Sequence, residues 1–117
     1  MLPKGEIARR KRTEIYRGFE LVLSNGDIIK LPFLGVGKSS AEMWKLLDEF
    51  GKAAQNANMQ KMVDTAYKMF CIHVKKYYNV TDDELDDLIE VPELFKFVVK
   101  VQGVNELNEI AQNLTTK

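Results

Sequence analysis

Residues 19–33, FELVLSNGDIIKLPF, contain two runs of alternating apolar residues separated by an Asn-Gly pair. Alternation with a period of two is typical of half-buried strands, and Asn-Gly between such runs indicates a β-hairpin. A three-residue loop, Ser-Asn-Gly, places Leu21 opposite Ile29 and puts Gly26 in the left-handed conformation that this loop requires. A two-residue loop would set Leu21 opposite Lys30 and turn the apolar set to the wrong face. The three-residue loop is therefore predicted.

Four or five helices are predicted after the hairpin, because apolar residues recur at spacings of three and four. Two of them open on a capping box, in which Ser39 precedes Glu42 and Thr81 precedes Glu84. A lone hairpin is only marginally stable in water, so it must pack on these helices. The predicted fold is α+β and mostly α, with an N-terminal β-hairpin on a bundle of four to five helices. The predicted helices run from 39 to either 51 or 56–58, over about 58–78, from 82, from near 92, and over 105–114.

The chain divides into a basic flexible arm at 1–16, a single hairpin-plus-helical domain at 17–114 and a frayed tail at 115–117. Its 117 residues suit one domain, and 45% apolar content is ordinary for a globular protein. The absence of an 18-residue apolar run or an apolar leader predicts no membrane association. A single cysteine, Cys71, fits a reducing compartment. A cytoplasmic location is predicted.

Opposite charges are concentrated in two segments, although the formal net charge is zero. Residues 1–17 hold six cations and two acids, a net of +4, and residues 81–93 hold seven acids and no cation, a net of −7. We predict a homo-oligomer in which these clusters align copies head to tail. The residues assigned to self-association are Arg9, Arg10, Lys11, Arg12, Asp83, Asp86 and Asp87.

The basic run at 9–12 also permits an alternative function, that of a small nucleic-acid-binding regulator. Four consecutive cations attract phosphate in a salt-dependent way. Nucleic-acid-binding domains usually add a larger basic face and a recognisable element that contacts bases, and this sequence has neither. A protein partner is therefore favoured over nucleic acid.

The sequence predicts no enzyme, no catalytic residue, no cofactor and no metal site. The GVGKS stretch at 35–39 resembles the end of a phosphate loop, but Pro32 stands where that motif has its first glycine. The acidic cluster at 82–87 lacks the central glycine of a calcium loop. Cys71 and His73 are two residues apart on a predicted helix and point to different faces, which is unsuitable for a dyad.

The segment at 94–101 is the strongest indication of a protein partner. It is apolar nearly all around a predicted helix, and a small domain rarely buries every face of one helix. Methionines on the preceding helices suit either an adaptable surface for a partner or the filling of the core. The residues predicted to bind a partner are Leu94, Phe95, Val98, Val99, Met59 and Met62.

The order of these features resembles a known family. A hairpin at 19–33 is followed by a long helix ending VKKYYN at 74–79, the capped acidic stretch VTDDELDDL at 80–88, and an apolar helix that starts near PELF at 92–95. This order is similar to that of the small tail assembly chaperones of long-tailed phages and prophages, in particular those of Gram-positive hosts. The resemblance covers residues 17–114.

The resemblance implies a function in tail morphogenesis. Such chaperones coat the tape-measure protein, a long helical rod, and keep it soluble in the host cytoplasm until tail-tube protein polymerises around it. They are absent from the mature virion. Many members of the family have a short form and a longer, frameshifted form, and the resemblance implies that this chain is the short form.

Overall fold

The computed structural model describes residues 2–103, and it has the α+β, mostly helical architecture predicted from the sequence. Within these residues, an antiparallel two-stranded hairpin precedes four α-helices. The predicted helix at 105–114 and the frayed tail at 115–117 lie outside the described part of the chain. The elements are β1 (Phe19–Val22), β2 (Ile28–Leu31), α1 (Ala41–Gln55), α2 (Met59–Tyr77), α3 (Asp82–Asp86) and α4 (Val91–Val101), with short 3-10 turns at Ala8–Arg10 and Lys38–Ser40.

The hairpin has the predicted register. Leu21 pairs with Ile29, and Gly26 has the positive φ of +89° expected at the end of a three-residue loop. Alternation separates the two faces of the sheet: Leu21 and Ile29 are fully buried, whereas Val22 and Ile28 are exposed and directly opposite each other. The inner face of the hairpin therefore covers the core, and its outer face presents an apolar pair.

Side chains from elsewhere in the chain bond the outer edges of both strands. The hydroxyl of Tyr78, just beyond α2, accepts from the Lys30 amide (2.9 Å) and donates to the Lys30 carbonyl (2.8 Å). On the other edge, the Lys100 ammonium of α4 donates to the carbonyl of Glu20 (3.0 Å). Glu20 and Lys30 lie opposite each other in the two strands. Side chains therefore bond both outer edges of the hairpin at the same level.

Helix α2 is central to the fold, because α1, α4 and β2 all pack against it. Its N-cap is Asn58, whose side chain accepts from the Lys61 amide. Phe97 of α4 is fully buried where the hairpin, α2 and α4 meet. Its ring lies 5.6 Å from that of Phe70, 6.0 Å from that of Phe19 and 5.8 Å from that of His73.

One of the two predicted capping boxes is present. The Thr81 hydroxyl accepts from the Glu84 amide, and the Glu84 carboxylate accepts from the Thr81 amide, both at 3.2 Å. The predicted box at Ser39 is wrong. A 3-10 turn that bonds the Ser40 amide to the carbonyl of Gly37 moves the start of α1 to Ala41, and no side chain caps it.

Residues 2–16 pack on the domain, which differs from the flexible arm expected from the sequence. Ile7 is fully buried and Ile15 is 7% exposed, so two apolar side chains anchor this cationic segment in the core. The backbone of Arg12 donates to the carbonyl of Tyr77 (2.7 Å), and the Asn79 amide donates to that of Arg10 (2.9 Å). The net positive charge of this segment did not indicate that it would pack, because the two buried isoleucines lie among charged residues in the sequence.

Candidate protein-binding surfaces

The structure separates the predicted partner-binding residues of α4 into two groups. Leu94 and Val98 are only 3% and 2% exposed, so they belong to the core and offer no surface to a partner. Val99 is 54% exposed. Phe95 is half-buried, and its ring meets that of Phe50 on α1 edge to face at 5.8 Å. A helix that is apolar all around does not reveal from its sequence which face is buried.

Three apolar residues form an accessible stripe along α4. Val91, Phe95 and Val99 follow one another at intervals of four, which places them on one face of the helix. Val91 is 45% exposed, Val99 is 54% exposed, and Phe95 between them is half-buried. We call this face the α4 stripe. Sequence reasoning missed Val91, because it predicts a helix that starts near Pro92, one residue later.

The two predicted methionines lie at the start of α2. Met59, its first residue, is 58% exposed, and Met62 is half-buried. Met43 and Met69 are buried in the core instead. Of these four methionines, only Met59 therefore has most of its side chain accessible to a partner.

The basic and acidic clusters meet within one molecule. Arg10 Nη1 lies 2.5 Å from a carboxylate oxygen of Glu84, and Arg10 Nη2 lies 2.8 Å from one of Glu6. Hydrogen bonds to these two acids raise the pKa of Arg10 above its ordinary value. Burial alone would raise the pKa of Glu84, but Arg10 and the cap at Thr81 hold it below its usual range. The predicted head-to-tail alignment requires that the charged residues of each cluster be available to another copy. Arg10 bonds Glu84 of its own chain, so Arg10 is not available in this way.

Other members of the two clusters have local roles. Arg12 donates to the carbonyl of Lys75 in the last turn of α2 (3.1 Å), where the helix dipole favours a cation. Arg9 lies 3.4 Å from Glu6, and Asp86 accepts from the hydroxyl of Tyr67. Of the seven residues assigned to self-association, Arg10 is half-buried and the other six are exposed: Arg9, Lys11, Arg12, Asp83, Asp86 and Asp87.

An open groove of about 900 Å³ lies between α1, α2 and α3. Leu46, Cys71 and Ile72 contribute its apolar lining, and charged residues of all three helices border it. Two polar contacts fix α3 against α2: Lys75 lies 3.0 Å from Asp82, and Tyr67 donates to Asp86. We call this feature the three-helix groove.

Cys71 and His73 have different neighbours, as their spacing predicts. Burial raises the pKa of Cys71, which lines the three-helix groove, to about 11. Burial also lowers the pKa of His73, whose Nε2–H donates to the carbonyl of Pro32 at 2.7 Å. At neutral pH the thiol is protonated and the imidazole is neutral, so neither side chain carries a charge.

Asp27 organises the N-terminal segment and was not singled out from the sequence. It is 2% exposed, and its carboxylate accepts from the backbone amides of Gly5 and Ile7 and from the side chain of Asn25. Burial would raise the pKa of Asp27, but these hydrogen bonds hold it below its ordinary value. The only sequence signal is the position of Asp27 directly after the Asn-Gly turn.

Replacing Asp27 with asparagine is expected to lower the free energy of unfolding by about 1–3 kcal/mol, because buried amides lose a charged acceptor. The folded-state pKa is lowered, so this stabilisation is present above the unfolded-state pKa of about 3.9 and disappears as the pH falls through the folded-state value. Urea unfolding at several pH values tests this. The difference in the free energy of unfolding between the wild type and Asp27→Asn should become smaller as the pH falls below about 4. Asp64→Asn, at an exposed position of α2, should differ little from the wild type at any pH.

The chain matches no family model, no curated protein and no solved structure. Among residues 2–103, no three His, Cys, Asp or Glu side chains are grouped so that they could hold a metal ion. Across the same residues, every helix is too short or too polar to cross a membrane.

Proposed function

We propose that this chain is a non-enzymatic tail assembly chaperone of a long-tailed phage or prophage. In this proposal it binds the tape-measure protein and keeps it soluble in the cytoplasm of the bacterial host. Tail-tube protein then polymerises around the tape-measure protein, and the chaperone is absent from the mature virion. The order of elements supports the proposal: a hairpin, a long helix, a short capped acidic helix and an apolar helix.

The α4 stripe is the observation that carries the proposal. A long helical rod exposes apolar surface before it is enclosed, and such surface promotes aggregation. Apolar residues at intervals of four on one helix match the anchors by which helices bind other helices. The exposed pair Val22 and Ile28 on the hairpin adds a second apolar surface. Many copies with weak contacts of this kind would coat a rod.

Replacing Val99 with aspartate is expected to reduce retention of the tape-measure protein about tenfold or more. Burial of one valine contributes about 1.5 kcal/mol or more, and a desolvated carboxylate would oppose contact further. The measurement is co-expression with the tape-measure protein, followed by pull-down and quantification of its soluble fraction. Val36→Asp is the matched control, because Val36 is 94% exposed and lies outside α4.

The proposal requires that wild-type chain and Val36→Asp keep the partner soluble while Val99→Asp does not. Equal solubility with both variants would show that the α4 stripe is not the contact. An insoluble partner in the presence of the wild-type chain would remove the chaperone function itself. A gel shift of DNA at low salt would instead favour the nucleic-acid-binding regulator. The contacts of Arg10 and Arg12 within the domain give that alternative no support.

A further inference from the structure

The three-helix groove is long enough to hold two helical turns. Its α2 lining runs from Tyr67 to Lys76, and nine residues of helix rise roughly 13–14 Å, against about 11 Å for two turns. The groove is open on one side, with a volume of about 900 Å³, so a helix could lie along it with one face against the lining and the other toward solvent.

The lining of the groove suits an amphipathic helix. Leu46 and Ile72 lie on α1 and α2, with the 9%-exposed Cys71 beside Ile72. Leu46 is 8% exposed and Ile72 is half-buried, so an apolar side chain that enters the groove would leave water and cover mainly Ile72. Burial of apolar surface of this kind is the usual source of affinity when a helix lies in a groove.

The charges of the α1 border specify the occupant further. Glu42, Lys45 and Glu49 follow at spacings of three and four, so they form a row of alternating charge along one helix face. Lys68 borders the groove from α2. In the described part of the chain, none of these four side chains forms an ion pair within 4 Å. Their complement is a helix with the order Lys-Glu-Lys at the same spacing, which neither a nucleic acid nor a small anion provides.

We propose that the three-helix groove binds a two-turn segment of amphipathic α-helix from the tape-measure protein. This inference rests on the proposed function and adds a second contact to that made by the α4 stripe. The apolar face of the bound helix lies over Ile72 and Cys71. An acidic residue of that helix lies between Lys45 and Lys68. The α4 stripe supplies apolar contact, and the groove supplies charge-dependent selection of a particular helical segment.

The test compares two double variants with the same change in net charge. Lys45→Glu with Lys68→Glu alters the groove, and Lys38→Glu with Lys61→Glu alters exposed lysines elsewhere. Each is co-expressed with the tape-measure protein, and the co-purified partner is quantified. Thermal unfolding checks that both variants fold, and light scattering gives the mass of each chain alone. The groove variant should retain at least roughly fivefold less partner than the wild type, and the control variant should match the wild type.

The outcomes separate the groove from the proposed function. If the wild type does not retain the partner, the chaperone function fails and the groove inference fails with it. If all three proteins retain it equally, only the groove inference is overturned. Equal losses of partner retention in both variants would show that retention depends only on the net charge of the chain. This result would also overturn the groove inference. A change in the mass of the groove variant alone, with partner retention unchanged, would identify the occupant as a second copy of this chain and overturn the inference.

Discussion

Replacing Phe97 with alanine is expected to lower the free energy of unfolding by about 3–5 kcal/mol, the range measured for buried phenylalanines. Phe97 is fully buried, and its ring contacts aromatic rings of β1 and α2. The substitution would leave a cavity where the hairpin and two helices meet, and neighbouring rings cannot fill it without moving backbone. Urea denaturation monitored by circular dichroism gives the free energy of unfolding. An unchanged dependence of that free energy on urea concentration would show that both proteins expose the same surface area on unfolding.

Phe95→Ala is the matched control, two residues earlier on the same helix. Phe95 is half-buried and meets Phe50 at the border of the core, so its loss should cost clearly less than the loss of Phe97. Equal losses at the two positions would contradict the orientation of α4. That orientation also decides which α4 residues are available to a partner, so this stability measurement checks the α4 stripe without needing the partner.

Replacing Ile7 with alanine is expected to cost about 2–5 kcal/mol, although Ile7 lies in a segment rich in cations. Ile7 is fully buried, and its amide is held by the carboxylate of Asp27. Ile28→Ala is the matched control, because Ile28 is 56% exposed on the outer face of the hairpin. The control should cost about 1 kcal/mol or less. The same urea denaturation provides both values.

An Ile7→Ala protein as stable as the wild type would show that residues 2–16 do not belong to the folded domain. In that case, truncation of the segment should also leave the cooperative transition unchanged. If the placement is correct, truncation removes Ile7 and Ile15 together and should destabilise the domain more than Ile7→Ala does. These two proteins therefore test the N-terminal packing independently of any partner.

Local patterns predicted the hairpin and most helices, because each depends on residues close together in the chain. Period-two alternation and an Asn-Gly turn were enough to predict the pairing of Leu21 with Ile29. The cap at Thr81 needed only a glutamate three residues later. The same pattern at Ser39 failed, because a preceding 3-10 turn competes for the start of α1. The same capping pattern can therefore form a cap at one position and fail at another, when a neighbouring segment competes for the start of the helix.

The candidate surfaces were less predictable, because they depend on tertiary packing. Apolarity alone did not distinguish Val99, which is exposed, from Val98, which is buried. Charge patterns could not show that Arg10 would bond Glu84 in its own chain rather than in another copy. The three-helix groove requires α3 to be placed against α2, and this depends on contacts such as that between Lys75 and Asp82. None of these can be derived from local periodicity.

The side-chain bonds at the outer edges of the hairpin limit how the strands of two copies of this chain could pair. An unpaired strand edge is a template for intermolecular sheet growth, and crowding increases that risk. Tyr78 bonds both backbone groups of Lys30, and Lys100 bonds the carbonyl of Glu20 across the ladder. A strand from a neighbouring copy would have to displace these side chains before it could pair. If the chain coats the tape-measure protein as proposed, these bonds would protect closely spaced copies from pairing edge to edge.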